Sequence, residues 1–422
     1  MKKKRFLGIA LTAALALGSL AGCASKSEDS AGTAGKGEKI TFWAPFSGAD
    51  GPRMKNIVAN YNKSQSKYQV DMQIIPQNDY YKTVDLSFSG QKSGPDVMIM
   101  HADQLTNYES KHLIKDITDV AEKAGIKKEN YSETAWNAGA FDGKQYSVPL
   151  DIHPLILYYN KDLFKAAGLD PNKPPKTREE FVADAKKLTD SSKNQWGFVV
   201  PTLWPNQFIY PTVFFQNGGE LLKDGKPNYN SPEGVEALTF LSDLIHKDKV
   251  SPENVQQDGE VTLFLQGKNA MQLNGPWMME QWDKAGIHYG VAPVPQLGTK
   301  TQAVYANGHN FVIPAAVKDQ KKLDGITDFL KYVGNNAMEW ARSGQAPASK
   351  AIYEQNAEFK KMTQQPQVAK EFTYAKFAPR IANWGQISDP LWSEVNLALL
   401  GKKDPKQALD DATKKAEQVM SK

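Results

Sequence analysis

The chain has 422 residues, a single cysteine and a formal charge of +4. One cysteine excludes an internal disulfide, and 51 basic against 47 acidic residues give no sign of a nucleic-acid partner. The excess is local: Lys2, Lys3, Lys4 and Arg5 stand together, and the remaining 47 Lys and Arg balance the 47 Asp and Glu.

After this basic patch the run Phe6 to Leu20 is apolar and rich in small residues. A basic region, a short apolar region and a small-residue cleavage site make a secretory signal over 1–22. The run is too short to span a bilayer comfortably. Leu20-Ala21-Gly22-Cys23 resembles a bacterial lipobox, which implies a diacylglycerol thioether on Cys23 and an acylated new N-terminus, palmitate included. Two or more acyl chains anchor firmly where one does not. The alternative, an ordinary signal with a stray cysteine, leaves a lone free thiol in an exported protein. Residues 24–39, ASKSEDSAGTAGKGEK, lack any large apolar side chain and read as a flexible tether reaching roughly 20–25 Å. The ~380 residues beyond are too many for one ordinary core, so two domains are expected.

Ile40-Thr41-Phe42-Trp43 reads as the first strand. A helix is expected over Arg53 to Lys63. Tyr68, Val70, Met72 and Ile74 then alternate with polar residues, the period of a half-buried strand. Pro95 to Met100 is a short apolar strand. Strand, helix, strand in this order predicts a parallel sheet covered by helices, with ligands beyond the carboxyl ends of the strands. Further along, Thr177-Arg178-Glu179-Glu180 reads as a capping box. Ser231-Pro232 and Asp404-Pro405 each place a cap before a first-turn proline. Gly218-Gly219 and Gly267-Lys268 read as turns, and no repeat of solenoid length is present.

More specific stretches follow in order. They are Tyr146-Ser147-Val148-Pro149-Leu150, Leu157-Tyr158-Tyr159-Asn160-Lys161-Asp162-Leu163-Phe164, Gly168-Leu169-Asp170 and Pro175-Lys176-Thr177. Ser231-Pro232-Glu233-Gly234, Gly267-Lys268-Asn269-Ala270-Met271, Asn274-Gly275-Pro276-Trp277 and Gly344-Gln345-Ala346-Pro347-Ala348 continue the series. Together they resemble the extracellular solute-binding proteins of the maltose/oligosaccharide type (family 1), over essentially all of 38–422. The resemblance implies an α/β, two-lobe periplasmic-binding-protein-like fold of type II, with discontinuous lobes and the ligand between them. One lobe is then expected from 40–150 plus about 311–356, the other from 154–306 plus about 364–422, with crossovers near 149–153, 307–310 and 354–365. It also implies a lipoprotein at the outer face of a bacterial cell membrane, here expected to be Gram-positive. Such a protein captures a sugar, an oligosaccharide by type, as a monomer and passes it to the permease subunits of an ABC importer.

No catalytic constellation is evident. Gly-x-Ser-x-Gly and His-Glu-x-x-His are absent, no Gly-Lys pair has a Walker loop's upstream glycine, and the Ser-x-x-Lys matches lack their companion motifs. The six histidines show no metal-ligand spacing, so neither metal nor cofactor is expected. The alternatives that stay open are a surface-anchored glycoside hydrolase or transferase, and the same receptor with a sugar phosphate or an amino sugar. A phosphate would call for arginine near the loops, where only Arg53 and Arg380 are candidates.

Nine tryptophans are a high count, and sugar rings present C–H faces that stack on aromatic planes. Trp204, Trp277 and Trp384 fall beside turn residues. Trp392, inside a periodic apolar segment, reads as core. Trp43 joins the candidates for ligand contact because it ends the first strand of an open α/β sheet, and the family pattern adds Asn206. It adds Asp103 and Gln104 after the Val97 to Met100 strand. It also adds Asp151 and His153 at the first crossover, and Asn307, His309 and Asn310 at the second.

Overall fold

A computed structural model describes residues 37–46, 48–91 and 93–421. The signal segment, Cys23 and most of the tether therefore lie outside the described residues.

The first strand, Glu38–Ala44, begins two residues before the apolar run. Glu38 and Lys39 already pair with Tyr68 and Gln69 of the neighbouring strand Tyr68–Ile74, and the Lys39 ammonium lies 3.2 Å from Asp71. Ladder hydrogen bonds use the backbone alone, so two charged residues can extend a strand that hydrophobicity would end. The helix after it runs Asp50–Ser64, and the strand Val97–His101 pairs with the first in parallel, as the strand-helix-strand order predicts. Two antiparallel strands complete this five-stranded sheet, His309–Val312 and Val148–Pro149.

A four-stranded sheet holds Tyr289–Ala292, Ile156–Asn160, Asn269–Asn274 and Trp196–Phe198 in that order. Between the two sheets in sequence lies a third, ordered Ala346–Pro347, Asp151–Pro154, Val304–Asn307, Ala375–Lys376. The chain leaves the first sheet at Pro149, crosses through Asp151–Pro154 and enters the second at Ile156. It returns through Val304–Asn307 to His309. The two crossing strands pair antiparallel, His153 opposite Asn307 and Pro154 opposite Ala306. The chain therefore passes twice between the two sheets, along strands that pair with each other.

Helix caps follow the sequence signals. Thr177 accepts from the Glu180 N–H, Ser231 from that of Gly234, and Asp404 from those of Lys406 and Gln407. The box is not reciprocal, because the Glu180 carboxylate takes the Lys176 N–H at 2.7 Å. The two C-terminal helices, Trp384–Leu399 and Pro405–Met420, pack on each other and on Pro232–His246. Among the described residues no helix is long and apolar enough to cross a membrane.

Candidate functional site: a cleft at the hinge

A cleft of about 1200 Å³ opens where the carboxyl ends of the first sheet meet the crossing strands and the Trp384–Leu399 helix. Phe46 and Asp50 follow the first strand, Gln77 follows the second, and His101, Asp103 and Gln104 lie at the end of the third. His153, Tyr305 and Asn307 come from the crossing strands, His309 begins the first-sheet strand that follows them, and together they form its floor. Trp204, Phe208, Trp277, Asp258 and, from one face of the Trp384–Leu399 helix, Trp384, Ser388, Asp389 and Trp392 form the opposite wall. A second cavity of about 620 Å³ shares Trp204, Asp258 and Trp277 with the cleft.

The aromatic wall is ordered by ring contacts. Trp204 and Trp277 lie nearly parallel, and Phe208 meets Trp204 edge-on at 5.2 Å. Trp277 in turn presents to His153 at 5.8 Å. Trp204 is 36 % exposed, unusual for so large an apolar ring. On the polar side, Asp103 Oδ1 is shielded from water and has no hydrogen-bond partner among the described residues. Burial pushes its carboxyl up, against hydrogen bonds from Asn307 and Gln104.

The floor is a connected network. Asp151 is fully buried and accepts from four donors: His153 Nδ1 at 3.0 Å, His309 Nδ1 at 2.8 Å, the His309 N–H at 3.0 Å and Trp340 Nε1 at 2.9 Å. Burial works to raise its carboxyl, but His309 and His153 outweigh this and hold it well below the usual carboxylate range. Burial pulls the His309 imidazole down, and Asp151 with Asp50 more than reverses this, so it titrates above an ordinary histidine. His153 is lowered by burial and by His309, and His101 is lowered further by burial and by both neighbours.

Of the residues proposed from sequence, Asp103, Gln104, His153, Trp204, Trp277, Asn307, His309 and Trp384 line the cleft. Four do not. Trp43 is packed with Tyr80, Met98 and Leu105 beneath the rim, because the strand ends at Ala44 and the wall begins with Pro45 and Phe46. Asn206 lines a neighbouring cavity beside Asn396, which shares Gln207, Asp389 and Trp392 with the cleft but not Asn206 itself. Asp151 lies behind the floor holding its histidines. Asn310 is 1 % exposed and bonded to Ser147 and the Gly308 carbonyl.

Three further readings need correction. Trp392 is not core: it is half-buried and lines the cleft. Arg53 pairs with Glu339, and Arg380 covers the Phe141 ring, so neither reaches the wall. The histidines do converge, since His101, His153 and His309 place one ring nitrogen each within 4.8 Å of one another. Sequence reasoning also missed Phe46, Asp50, Tyr81, His101 and Tyr305. His101 had a signal, being the last residue of a strand whose carboxyl end faces a cleft.

Two α/β lobes, paired crossing strands and a ligand-sized cleft over them define a two-lobe binding protein. Residues 47–340 match the model of the bacterial extracellular solute-binding proteins, and the chain belongs to that family. It is 28 % identical over 420 residues to the galactooligosaccharide-binding protein of Bacillus subtilis, covering 96 % of this chain and 95 % of that one. It is equally 28 % identical to the sn-glycerol-3-phosphate-binding periplasmic protein of Brucella melitensis, covering 89 % and 92 %. Among solved structures, an ABC substrate-binding protein of Listeria monocytogenes in complex with cycloalternan superposes with a TM-score of 0.79 at 25 % identity, covering 91 % and 99 %. The GacH receptor of Streptomyces glaucescens, solved unliganded and with acarbose, gives 0.80 at 22 % identity, covering 91 % and 99 %.

Proposed function

We propose that this protein captures a neutral oligosaccharide outside the cell, without turning it over, and delivers it to the permease of an ABC importer. The observation that carries this reading is the lining of the cleft. Trp204, Trp277 and Trp392 offer aromatic faces to sugar rings, with the buried Trp384 ring behind them at 3 % exposure, while Asp103, Gln104, Asn307, Ser388 and Asp389 offer partners to hydroxyls. The volume exceeds the roughly 300–1,000 Å³ of ordinary small-molecule pockets. It also adjoins a further cavity past Trp277, which favours a chain of sugars over one ring.

The same lining argues against the phosphate ester bound by the Brucella relative. Among the described residues around the cleft there is no Lys or Arg, and there are four aspartates, Asp50, Asp103, Asp258 and Asp389. A phosphate dianion needs paired cationic donors and would meet like charge instead. The lobes are proposed to be 40–150 with about 311–356, and 154–306 with about 364–422, hinged at the crossing strands. Cys23 is proposed as the lipidated residue holding the protein on a Gram-positive membrane, where it acts as a monomer. Calorimetric titration with galacto- and gluco-oligosaccharides, and separately with sn-glycerol 3-phosphate, tests the ligand. Tight binding of one oligosaccharide with no reducing ends released is expected. Preference for the phosphate ester, or hydrolysis, would sink the proposal.

A further inference from the structure

The cleft floor carries a convergence of three histidines that saccharide capture does not by itself call for. His101, His153 and His309 come from three different strands. Backbone pairing sets His309 opposite His101, while the neighbouring Asn307 pairs with His153. Their ring centroids lie 4.5–5.9 Å apart, and one nitrogen of each falls within 4.8 Å of the other two. Each ring is fixed through Nδ1: His153 and His309 by the two oxygens of Asp151, and His101 by the Tyr81 hydroxyl at 2.7 Å. Asp151 is itself aimed by Trp340. An oriented carboxylate that takes Nδ1–H and leaves Nε2 as donor is the outer-shell device of histidine-ligated metals.

We infer that His101, His153 and His309 form a binding site for a zinc-class divalent transition cation, with the remaining coordination position turned into the cleft. Three imidazoles suit zinc, cobalt, nickel or copper rather than calcium or magnesium, which prefer oxygen. Metal–nitrogen bonds of roughly 2.0–2.1 Å in a tetrahedron put the nitrogens about 3.3 Å apart, so rings with one nitrogen each within 4.8 Å of the others must close inward on binding. The Tyr81 oxygen already accepts the His101 N–H at 3.0 Å, and in the Nδ1-protonated tautomer of His101 its second lone pair takes Nδ1–H and leaves Nε2 free. Three protein ligands leave a fourth position, and all three rings line the cleft, so a water or a solute oxygen completes the sphere. Asp50 and Asp151 supply negative charge beside His309 to balance the cation.

The test contains no saccharide, so its outcome is separate from that of the ligand assignment. The purified protein, stripped with a chelator, is titrated with ZnCl2 by calorimetry, and its CoCl2 complex is read by visible absorption. One equivalent of zinc and the intense bands of a four-coordinate cobalt site are expected. His153→Ala should weaken zinc at least about 100-fold, and Asp151→Asn by roughly 10–100-fold. His288→Ala, which removes an exposed histidine paired with Asp162 at 3.0 Å, should change nothing. Where a floor variant does not fold, the wild-type cobalt spectrum decides. No stoichiometric zinc, a six-coordinate cobalt spectrum, or binding that survives His153→Ala overturns the site.

Discussion

Trp204 and Trp277 stand with their planes 24° apart and their centroids 6.2 Å apart, two nearly parallel plates on one wall of the cleft. The rings come from a surface loop and from Asn274-Gly275-Pro276-Trp277, where the indole folds back against the Gly275 backbone. A Cβ built at Gly275 would lie 2.1 Å from the Trp277 ring, so only glycine leaves room for that fold. If the plates hold sugar, Trp277→Ala costs about 2 kcal/mol or more of binding, roughly thirtyfold. The melting temperature of the free protein should move little.

Trp392 gives the matching control. It is half-buried against the cleft, so Trp392→Ala should weaken saccharide affinity more than it lowers stability. A variant that melts early but binds like wild type would return Trp392 to the core and remove it from the site.

Asp103 makes a different prediction, because its Oδ1 is shielded and unpaired. A ligand hydroxyl that donates to it satisfies a group the free protein leaves wanting. A hydrogen bond to a charged group contributes about 1.5–3 kcal/mol, so Asp103→Ala should lose tenfold or more in affinity. The free protein should be destabilised little, since losing the unsatisfied Oδ1 offsets losing the hydrogen bonds from Asn307 and Gln104. Unchanged affinity in calorimetry takes Asp103 out of the contact set.

The anchor is tested apart from the cleft. Cys23→Ser should release the protein into the medium with its saccharide affinity intact. A Cys23→Ser protein that stays with the membrane fraction refutes lipidation at that residue.

What the sequence made legible is what local pattern encodes. Tyr68 to Ile74 alternates and is a strand; Thr177, Ser231 and Asp404 have capping side chains and do cap. The histidine floor is invisible in this way, because it depends on the register of His309 against His101 and of Asn307 against His153, pairings between distant segments. Trp392 misled for a subtler reason. Leu391, Val395, Ala398 and Leu399 make the buried stripe of its helix, and position 392 is rotated about 100° from Leu391. It joins Gly385, Ser388 and Asp389 on the face that borders the cleft, a spacing of three, one and three that the sequence did contain. Trp43 misled in the opposite sense, since the strand-end rule locates a rim only to within a residue or two, and here the rim starts at Pro45.

Glu260 yields a prediction about stability alone. It lies in the helix Gly259–Leu265 with 1 % exposure, and neither carboxyl oxygen has a partner from another residue among the described residues. Burial is the main cause that pushes its pKa up, to about 7, with the nearby Asp258 charge adding to it and a backbone hydrogen bond opposing. A carboxyl whose folded pKa lies above its unfolded value near 4.5 holds its proton longer in the folded state. Its contribution to stability is therefore fully present below the unfolded pKa and is lost as pH rises through about 7, where the folded state must carry a buried charge. Glu260→Gln keeps the shape and removes the titration. The variant should melt close to wild type at about pH 4 and above it at about pH 8, the gap opening across the interval between the two pKa values. Melting curves for both proteins at several pH values decide the matter: a gap that stays constant from acid to alkaline buffer means that Glu260 is ionised and solvated in the fold.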